Sequence, residues 1–155
     1  MKRLFILPAL LVCQSFLSGG IVPDFINPTG TYRLTGVVKK NHVLGHSGEL
    51  RAELLDSSKI AISFSINKGY PNYESGSMTD TLFYDENMAR YTPACDSSCT
   101  IIFWFTPKAV ELKELFTDPH SGCGFATGVM AATVFEKTSD DRPVIQDLSA
   151  HGITP

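Results

Sequence analysis

Apolar and polar residues alternate along most of this chain with a period of two. The clearest run is Ile60 to Ile66, where Ile60, Ile62, Phe64 and Ile66 fall on one side and Ala61, Ser63, Ser65 and Asn67 on the other. A strand lines those four large residues up, whereas a helix would scatter them around its axis. One dry face and one wet face indicate an antiparallel sheet. Tyr32, Leu34, Gly36 and Val38 repeat the pattern from Thr31 onward, as do Leu50, Ala52 and Leu54, which join the Ile60 run through the turn Asp56-Ser57-Ser58-Lys59. Lys68 to Asn72 interrupts the alternation, which resumes from Met78 to Tyr84 and turns through Asp85-Glu86-Asn87 into Met88 to Tyr91. Thr100 to Thr106 is apolar on both faces and reads as a covered strand, and Val129 to Phe135 as the last one. Lys108 to Phe116 fits two templates. Ala109, Leu112 and Leu115 or Phe116 make a helical stripe after Pro107, while Val110 and Leu112 flank Glu111 as in a strand. Strands on both sides favour strand.

The sum is about eight short strands joined by polar turns, which predicts an all-β small antiparallel β-barrel, with a sandwich as the alternative architecture. The barrel domain is expected over residues 31–138, after an extended lead-in at 21–30 that holds Pro23 and Pro28, and before a tail at 139–155.

Residues 1–20 read as a signal peptide. Met1-Lys2-Arg3 is basic, Leu4 to Leu17 is uncharged and apolar, and Ser18-Gly19-Gly20 supplies small residues for cleavage. The expected cut follows Gly20, with Ser15 as the second choice. The apolar run is short for a membrane span and contains Pro8. Lipidation at Cys13, the one route to a membrane, is disfavoured because Val12 stands where a small residue is required. The expected location is secreted or periplasmic.

Composition adds limits. The chain has 155 residues, 43% hydrophobic and 19% charged, with 13 Lys+Arg against 16 Asp+Glu. That suits one globular domain and neither a disordered chain nor a coiled coil. Loss of Lys2 and Arg3 with the signal leaves 11 basic and 16 acidic residues, a net charge of −5. With no basic run, the chain is not expected to bind nucleic acid. Export places Cys95, Cys99 and Cys123 in an oxidising space, so one disulfide and one free thiol are expected. A Cys99–Cys123 bridge is preferred over the tiny Cys95–Cys99 loop. It closes about 25 residues and restricts the unfolded chain by about 3–4 kcal/mol in the loop-entropy model. Three thiols without a second CxxC pair or a nearby His do not make a zinc site, and no cofactor or metal is expected.

Candidate catalytic groups are sparse. His42 and His46 stand four apart, but Gly45 and Gly48 place them in an exposed turn. His120, Cys123 and Asp118 would make a cysteine-nucleophile set only if Cys123 were free. An enzyme using the 118–123 loop is therefore the last of three readings. Cys95 has no basic neighbour to lower its pKa. Glu49 with Glu53, and Glu111 with Asp118, read as solvated acids, not as the paired arms of a hydrolase. The glycine-rich stretch Gly122 to Gly128 leads into a strand, so it lacks the helix N-terminus that binds phosphate. Tyr70-Pro71-Asn72-Tyr73-Glu74-Ser75-Gly76-Ser77 is the most suggestive segment. Aromatics and small hydroxyls on a rigid β scaffold suit protein recognition, which makes Tyr70, Tyr73, Ser75 and Ser77 the candidate partner-binding residues.

Two resemblances bear on this. Gly69-Tyr70-Pro71, Ser75-Gly76-Ser77, Cys99 before an apolar strand, and Cys123-Gly124-Phe125 before a Gly-Val strand resemble a group of exported proteins of the Bacteroidetes type. That likeness spans residues 59–143 and implies an exported β protein with no stated activity. Ser75-Gly76-Ser77 is also similar to the Ser-Gly-Ser-Gly loop of bacterial C-type lysozyme inhibitors, small exported barrels whose loop serine enters the lysozyme cleft. The match is three residues, because Met78-Thr79-Asp80 replaces the family's glycine and basic residue; only Ser75 and Ser77 carry over. The leading expectation is an exported, non-catalytic binding protein, lysozyme-inhibitor-like, acting on a protein such as a lysozyme through the 70–77 loop. The alternative is a lipocalin-like carrier of a small apolar ligand, which needs an open interior.

Overall fold

The computed structural model describes residues 24–118, 122–126, 128–129 and 133–146. The signal segment with Cys13, His120 and the end of the tail lie outside them. Ten strands follow in order: β1 (Gly30–Leu34), β2 (Val37–Lys39), β3 (His42–Leu44), β4 (Ser47–Asp56), β5 (Lys59–Asn67), β6 (Ser75–Asp85), β7 (Met88–Tyr91), β8 (Cys99–Phe105), β9 (Ala109–Phe116) and β10 (Thr133–Ser139). Eight of them close into an antiparallel barrel in the order β1-β10-β9-β8-β7-β6-β5-β4, and β2 and β3 form a separate hairpin between β1 and β4. The barrel is an up-and-down meander, each strand pairing with the next and β1 closing on both β4 and β10.

The alternation read from the sequence sets which way each strand faces. Ile60, Ile62, Phe64 and Ile66 are buried, and across the ladders Leu50 pairs with Phe64 and Phe103 with Leu112. Phe64 meets Phe103 and Phe135 with ring centroids 5.8 and 5.7 Å apart, so three strands contribute to one aromatic knot on the barrel axis. Phe105 and Tyr32 stack edge to face at 5.8 Å nearer the other end. The interior is thus filled by large side chains in mutual contact.

Residues 108–116 settle as strand β9. Val110 and Leu112 are fully buried, while Leu115 and Phe116, needed for a helical stripe, are exposed. Four expectations are corrected. The alternation from Tyr32 to Val38 is not one strand, because the chain breaks at Thr35-Gly36 and Val37 and Val38 are exposed on the hairpin. His42 is not in an open turn but begins β3, since Lys40 and Asn41, at φ 49° and 62°, make the two-residue hairpin turn themselves. The 70–77 loop is a loop only to Glu74, and Ser75 and Ser77 already belong to β6, opposite Asn67 and Ser65. The last strand starts at Thr133, opposite Leu112, and not at Val129, which is buried beyond a turn closed by Val129 N–H donating to Ala126 O (3.1 Å).

The lead-in corks one end of the barrel. Buried Asn87 accepts from Ile26 N–H through Oδ1 (2.8 Å) and donates from Nδ2 to Asp24 O (2.9 Å). The hydroxyls of Tyr84 and Tyr32 donate to Ile26 O (2.7 Å) and Pro28 O (2.8 Å). Burial of these phenols raises both pKa values, that of Tyr84 to about 12. The described part of the tail lies outside the barrel wall, with Arg142 paired to Glu53, Arg51 Nη1 donating to Val144 O (3.2 Å) and Gln146 N–H donating to Ser63 Oγ (2.8 Å).

Candidate functional site

The two ends of the barrel differ. At the corked end the turns are short, with two residues between β4 and β5, two between β6 and β7, and three between β8 and β9. At the opposite end the connections have 12 residues (β1 to β4), seven (β5 to β6), seven (β7 to β8) and 16 (β9 to β10). Long loops gathered on one end of a rigid barrel are where recognition residues are carried.

The β5–β6 loop and the β2–β3 hairpin build one surface there. The loop is rigid for local reasons. Lys68 N–H donates to Glu74 O (2.9 Å), Tyr73 N–H to Gly69 O (2.8 Å), and Asn67 Nδ2 to Tyr73 O (2.9 Å). The hairpin docks onto it through Tyr70 N–H donating to Val43 O (2.7 Å). Gly69 makes that approach feasible, since a Cβ at this residue (φ +78°) would lie 2.4 Å from Gly45 O. The side chains then converge. The His42 ring lies 4.4 Å from that of Tyr70, His42 Nδ1 is 3.3 Å from the Tyr73 hydroxyl, and the two tyrosine rings are 6.3 Å apart. Tyr70 is 48% and Tyr73 43% exposed. The result is a three-ring platform with polar atoms at its rim, held by backbone from two elements. Two of the four candidate partner-binding residues, Tyr70 and Tyr73, thus stand side by side. Ser75 is exposed and Ser77 half-buried, and they run along the outward side of β6 next to the platform.

His42 was missed, and so were Lys39, which faces it in the hairpin register, and Lys40 at the tip. The signal was the pair of apolar dipeptides, Val37-Val38 and Val43-Leu44, set symmetrically about Lys40-Asn41, but Gly45 and Gly48 outweighed it.

The other candidates disperse. Cys99 and Cys123 form a disulfide, which is compatible with an extracellular or periplasmic location. Both sulfurs of that bridge are therefore oxidised, and Cys123 has no thiolate to offer. Cys95 is free and exposed. Glu49 is shared between Arg33 (3.1 Å) and Arg51 (2.7 Å), Glu53 pairs with Arg142, and Glu111 pairs with Lys113 (3.5 Å). These are structural ion pairs on the wall. Glu114 is partly buried near the loop end, which raises its pKa, with His46 opposing the shift. His46 Nε2 sits 3.3 Å from Gly128 O, far from the rings of the platform in role, since it ties down the β9–β10 connection. Gly124 and Gly128 take φ of +72° and +71°, so the glycine-rich stretch supplies backbone turns. Among the described residues no three His, Cys, Asp or Glu side chains gather as a metal site would require.

The second role of the β9–β10 connection is to plug the barrel. Phe125 stands over Gly76 of β6 and 6.3 Å from the Phe64 ring, and the disulfide anchors its segment to the first residue of β8. The class these features define is a filled eight-stranded up-and-down barrel with an aromatic loop platform at its open-loop end. No protein-family model, curated protein or solved structure matches the chain.

Proposed function

We propose that the protein is an exported, non-catalytic binding module that holds a protein partner on the loop end of the barrel. The observation that carries this is the Tyr70–His42–Tyr73 platform, exposed yet fixed by hydrogen bonds from both the β5–β6 loop and the β2–β3 hairpin. Rigid aromatics contribute contact area at little entropic cost on binding, which is why they dominate recognition surfaces. Lys39 and Lys40 place positive charge beside the rings, and Ser75 and Ser77 add hydroxyls along the adjoining strand. A concave acidic surface on the partner fits that set. A lysozyme cleft with its catalytic carboxylates is the partner the Ser75-Gly76-Ser77 resemblance implies, with the hairpin lysines supplying the base absent from Met78-Thr79-Asp80. The signal-like residues 1–20 support export.

An apolar carrier is a weaker reading, because Ile62, Phe64, Phe103 and Phe105 occupy the space a ligand would need. The test is lysis of a peptidoglycan suspension by a C-type lysozyme in the presence of a tenfold molar excess of the oxidised protein. Slowed lysis that is relieved at least tenfold by Tyr70→Ala with Tyr73→Ala supports the proposal. Lysis kinetics untouched by the excess remove lysozyme as the partner.

A further inference from the structure

The barrel closes, yet among the described residues one stretch of strand has a ladder on one side only. β5 and β6 pair over their full length, from Lys59 opposite Phe83 to Asn67 opposite Ser75, whereas β6 and β7 pair only at Tyr84–Ala89 and Asp85–Met88. The cause is local. After Tyr91 the chain reaches Thr92-Pro93 and turns away, Asp96 N–H donating to Pro93 O (3.1 Å), while β6 runs on toward Ser75. The phase of the β5–β6 ladder says which groups are left over. Tyr84 N–H donates to Ser58 O and Lys68 N–H to Glu74 O, so the even-numbered residues of β6 bond to β5. The backbone groups of Ser75, Ser77, Thr79 and Thr81 therefore point to the open side. Among the described residues, Ser75, Ser77 and Thr79 make no backbone hydrogen bond there. Thr79 and Thr81 are exposed.

Asp80 guards this edge. It lies opposite Ile62, on the barrel's inner side, but at the gap it is exposed. Its carboxylate accepts the N–H of Thr81 at 2.7 Å, so one open-edge donor is already occupied by an anion. No ion pair involves Asp80 among the described residues. An inward charge on an edge strand is a known device against unwanted pairing. It is also a selector, because a strand carrying a basic side chain at that position gains where an acidic or apolar one loses. Phe83, 66% exposed, stands at the β7 end of the same outward row and offers an apolar contact.

We propose that the open edge of β6, from Ser75 to Thr81, takes up an extended segment of another polypeptide by strand addition, with a Lys or Arg of that segment opposite Asp80. The seven-residue edge is about 23 Å long, matching a heptapeptide. A second copy of this chain is a poor occupant, since two-fold pairing of β6 with β6 sets both Asp80 carboxylates along one ladder. The described part of the chain's own tail is occupied on the wall, where Gln146 N–H meets Ser63 and Arg142 meets Glu53. This surface shares Ser75 and Ser77 with the recognition face proposed above but none of the three rings, so Tyr70→Ala with Tyr73→Ala leaves the edge intact and Asp80→Lys leaves the platform intact.

The test is an amide NMR titration of the oxidised protein with a capped peptide Thr-Lys-Thr-Val-Thr-Val-Thr, whose second residue falls opposite Asp80 when it pairs antiparallel along Ser75 to Thr81, and its Lys-to-Glu counterpart. The expected result is shift changes confined to β6 and its neighbours, at least tenfold slower exchange of the Ser75, Ser77 and Thr79 amides at saturation, and at least tenfold tighter binding of the Lys peptide. Asp80→Lys, an exposed change that leaves the core untouched, should reverse the preference, and Thr79→Pro should abolish binding. No shifts at residues 75–81 with millimolar peptide, equal binding of both peptides, or an unchanged preference in Asp80→Lys would each overturn the proposal. So would amides at 75–79 that are already protected in a dimer before any peptide is added.

Discussion

Gly76 and Phe125 give the sharpest test of how this barrel is sealed. A Cβ built on Gly76 would sit 2.2 Å from Cδ1, 2.7 Å from Cγ and 2.9 Å from Cε1 of Phe125. Ordinary carbon contacts begin near 3.5 Å, so the ring must move by more than an ångström, out of its contact with Phe64. Forced overpacking of this kind costs about 1–3 kcal/mol. Against that, alanine in a strand interior is better than glycine by about 0.5–1 kcal/mol. Gly76→Ala should therefore destabilise the protein by about 1–2 kcal/mol. Phe125 is half-buried, so Phe125→Ala should cost about 2 kcal/mol, below the 3–5 of a fully buried ring. In the Phe125→Ala background the clash is gone, and Gly76→Ala should become neutral or stabilising by about 0.5 kcal/mol. The cycle thus predicts a coupling of about 1–2.5 kcal/mol, with the cost of the glycine substitution lost or reversed. Urea unfolding of the four proteins, disulfide intact, reads this directly; at a slope near 1.5 kcal/mol/M the single change moves the midpoint by about 1 M. An alanine that costs nothing in the parent, or the same amount in both backgrounds, would refute the idea that the β9–β10 connection seals the barrel through this ring.

Two further outcomes follow from the covalent and titratable parts of the fold. Replacing Cys99 and Cys123 together by alanine removes a link of sequence separation 24 and should lower stability by about 3–4 kcal/mol in urea; a loss under about 1 kcal/mol would show that the connection is held without it. Tyr84 and Tyr32 ionise at higher pH in the folded protein than the free phenol value of 10.0 because burial disfavours the phenolate. Their stabilisation is complete below pH 10 and is lost as the pH rises toward about 12, since only the unfolded chain gives up the protons in that window. The urea midpoint should fall steeply between pH 10 and 11.5, and less steeply in Tyr84→Phe; equal slopes would contradict the linkage.

Legibility in the sequence followed the range of the forces involved. The Ile60–Ile66 strand was readable because its own alternation decides its faces, and burial on the barrel axis follows from that alone. Residues 108–116 were ambiguous because Leu112 serves both a stripe and an alternation. The neighbours β8 and β10 decided it, and they buried Val110 while leaving Leu115 outside. The Lys40-Asn41 turn and the early start of β6 at Ser75 were missed because glycines nearby signal loops more strongly than a two-residue turn signals a hairpin. Nothing in the sequence pairs Gly76 with Phe125, or Asn87 with the backbone of Asp24 and Ile26. Those contacts are made between segments far apart in the chain, and each rests on geometry that exists only once the barrel has closed. Tyr70 and Tyr73 were found from composition, whereas His42 reached them by a docking of two elements that no local pattern announces.

The filled interior determines where function has to be sought. With Phe64, Phe103 and Phe135 meeting on the axis and Phe105 packed on Tyr32 and Tyr84 beyond them, any ligand must be met by loops, by the wall or by an edge. The wall is taken up by internal ion pairs and by the tail, which leaves the loop platform and the gap beside β6. Both trace to β6. At its N-terminal end Ser75 adjoins the loop that presents Tyr70 and Tyr73, and along its side the turn at Pro93 leaves Ser75 to Thr79 without a second ladder among the described residues. Gly76 is the residue at which the two meet, since its missing side chain admits Phe125 and keeps the gap from opening into the core. A barrel that needed only stability would have paired β6 along its whole length. A plug, a disulfide and an exposed carboxylate thus stand beside the one side of β6 that carries no second ladder over Ser75 to Thr79 among the described residues, and that is where the proposed partner segment is to be tested.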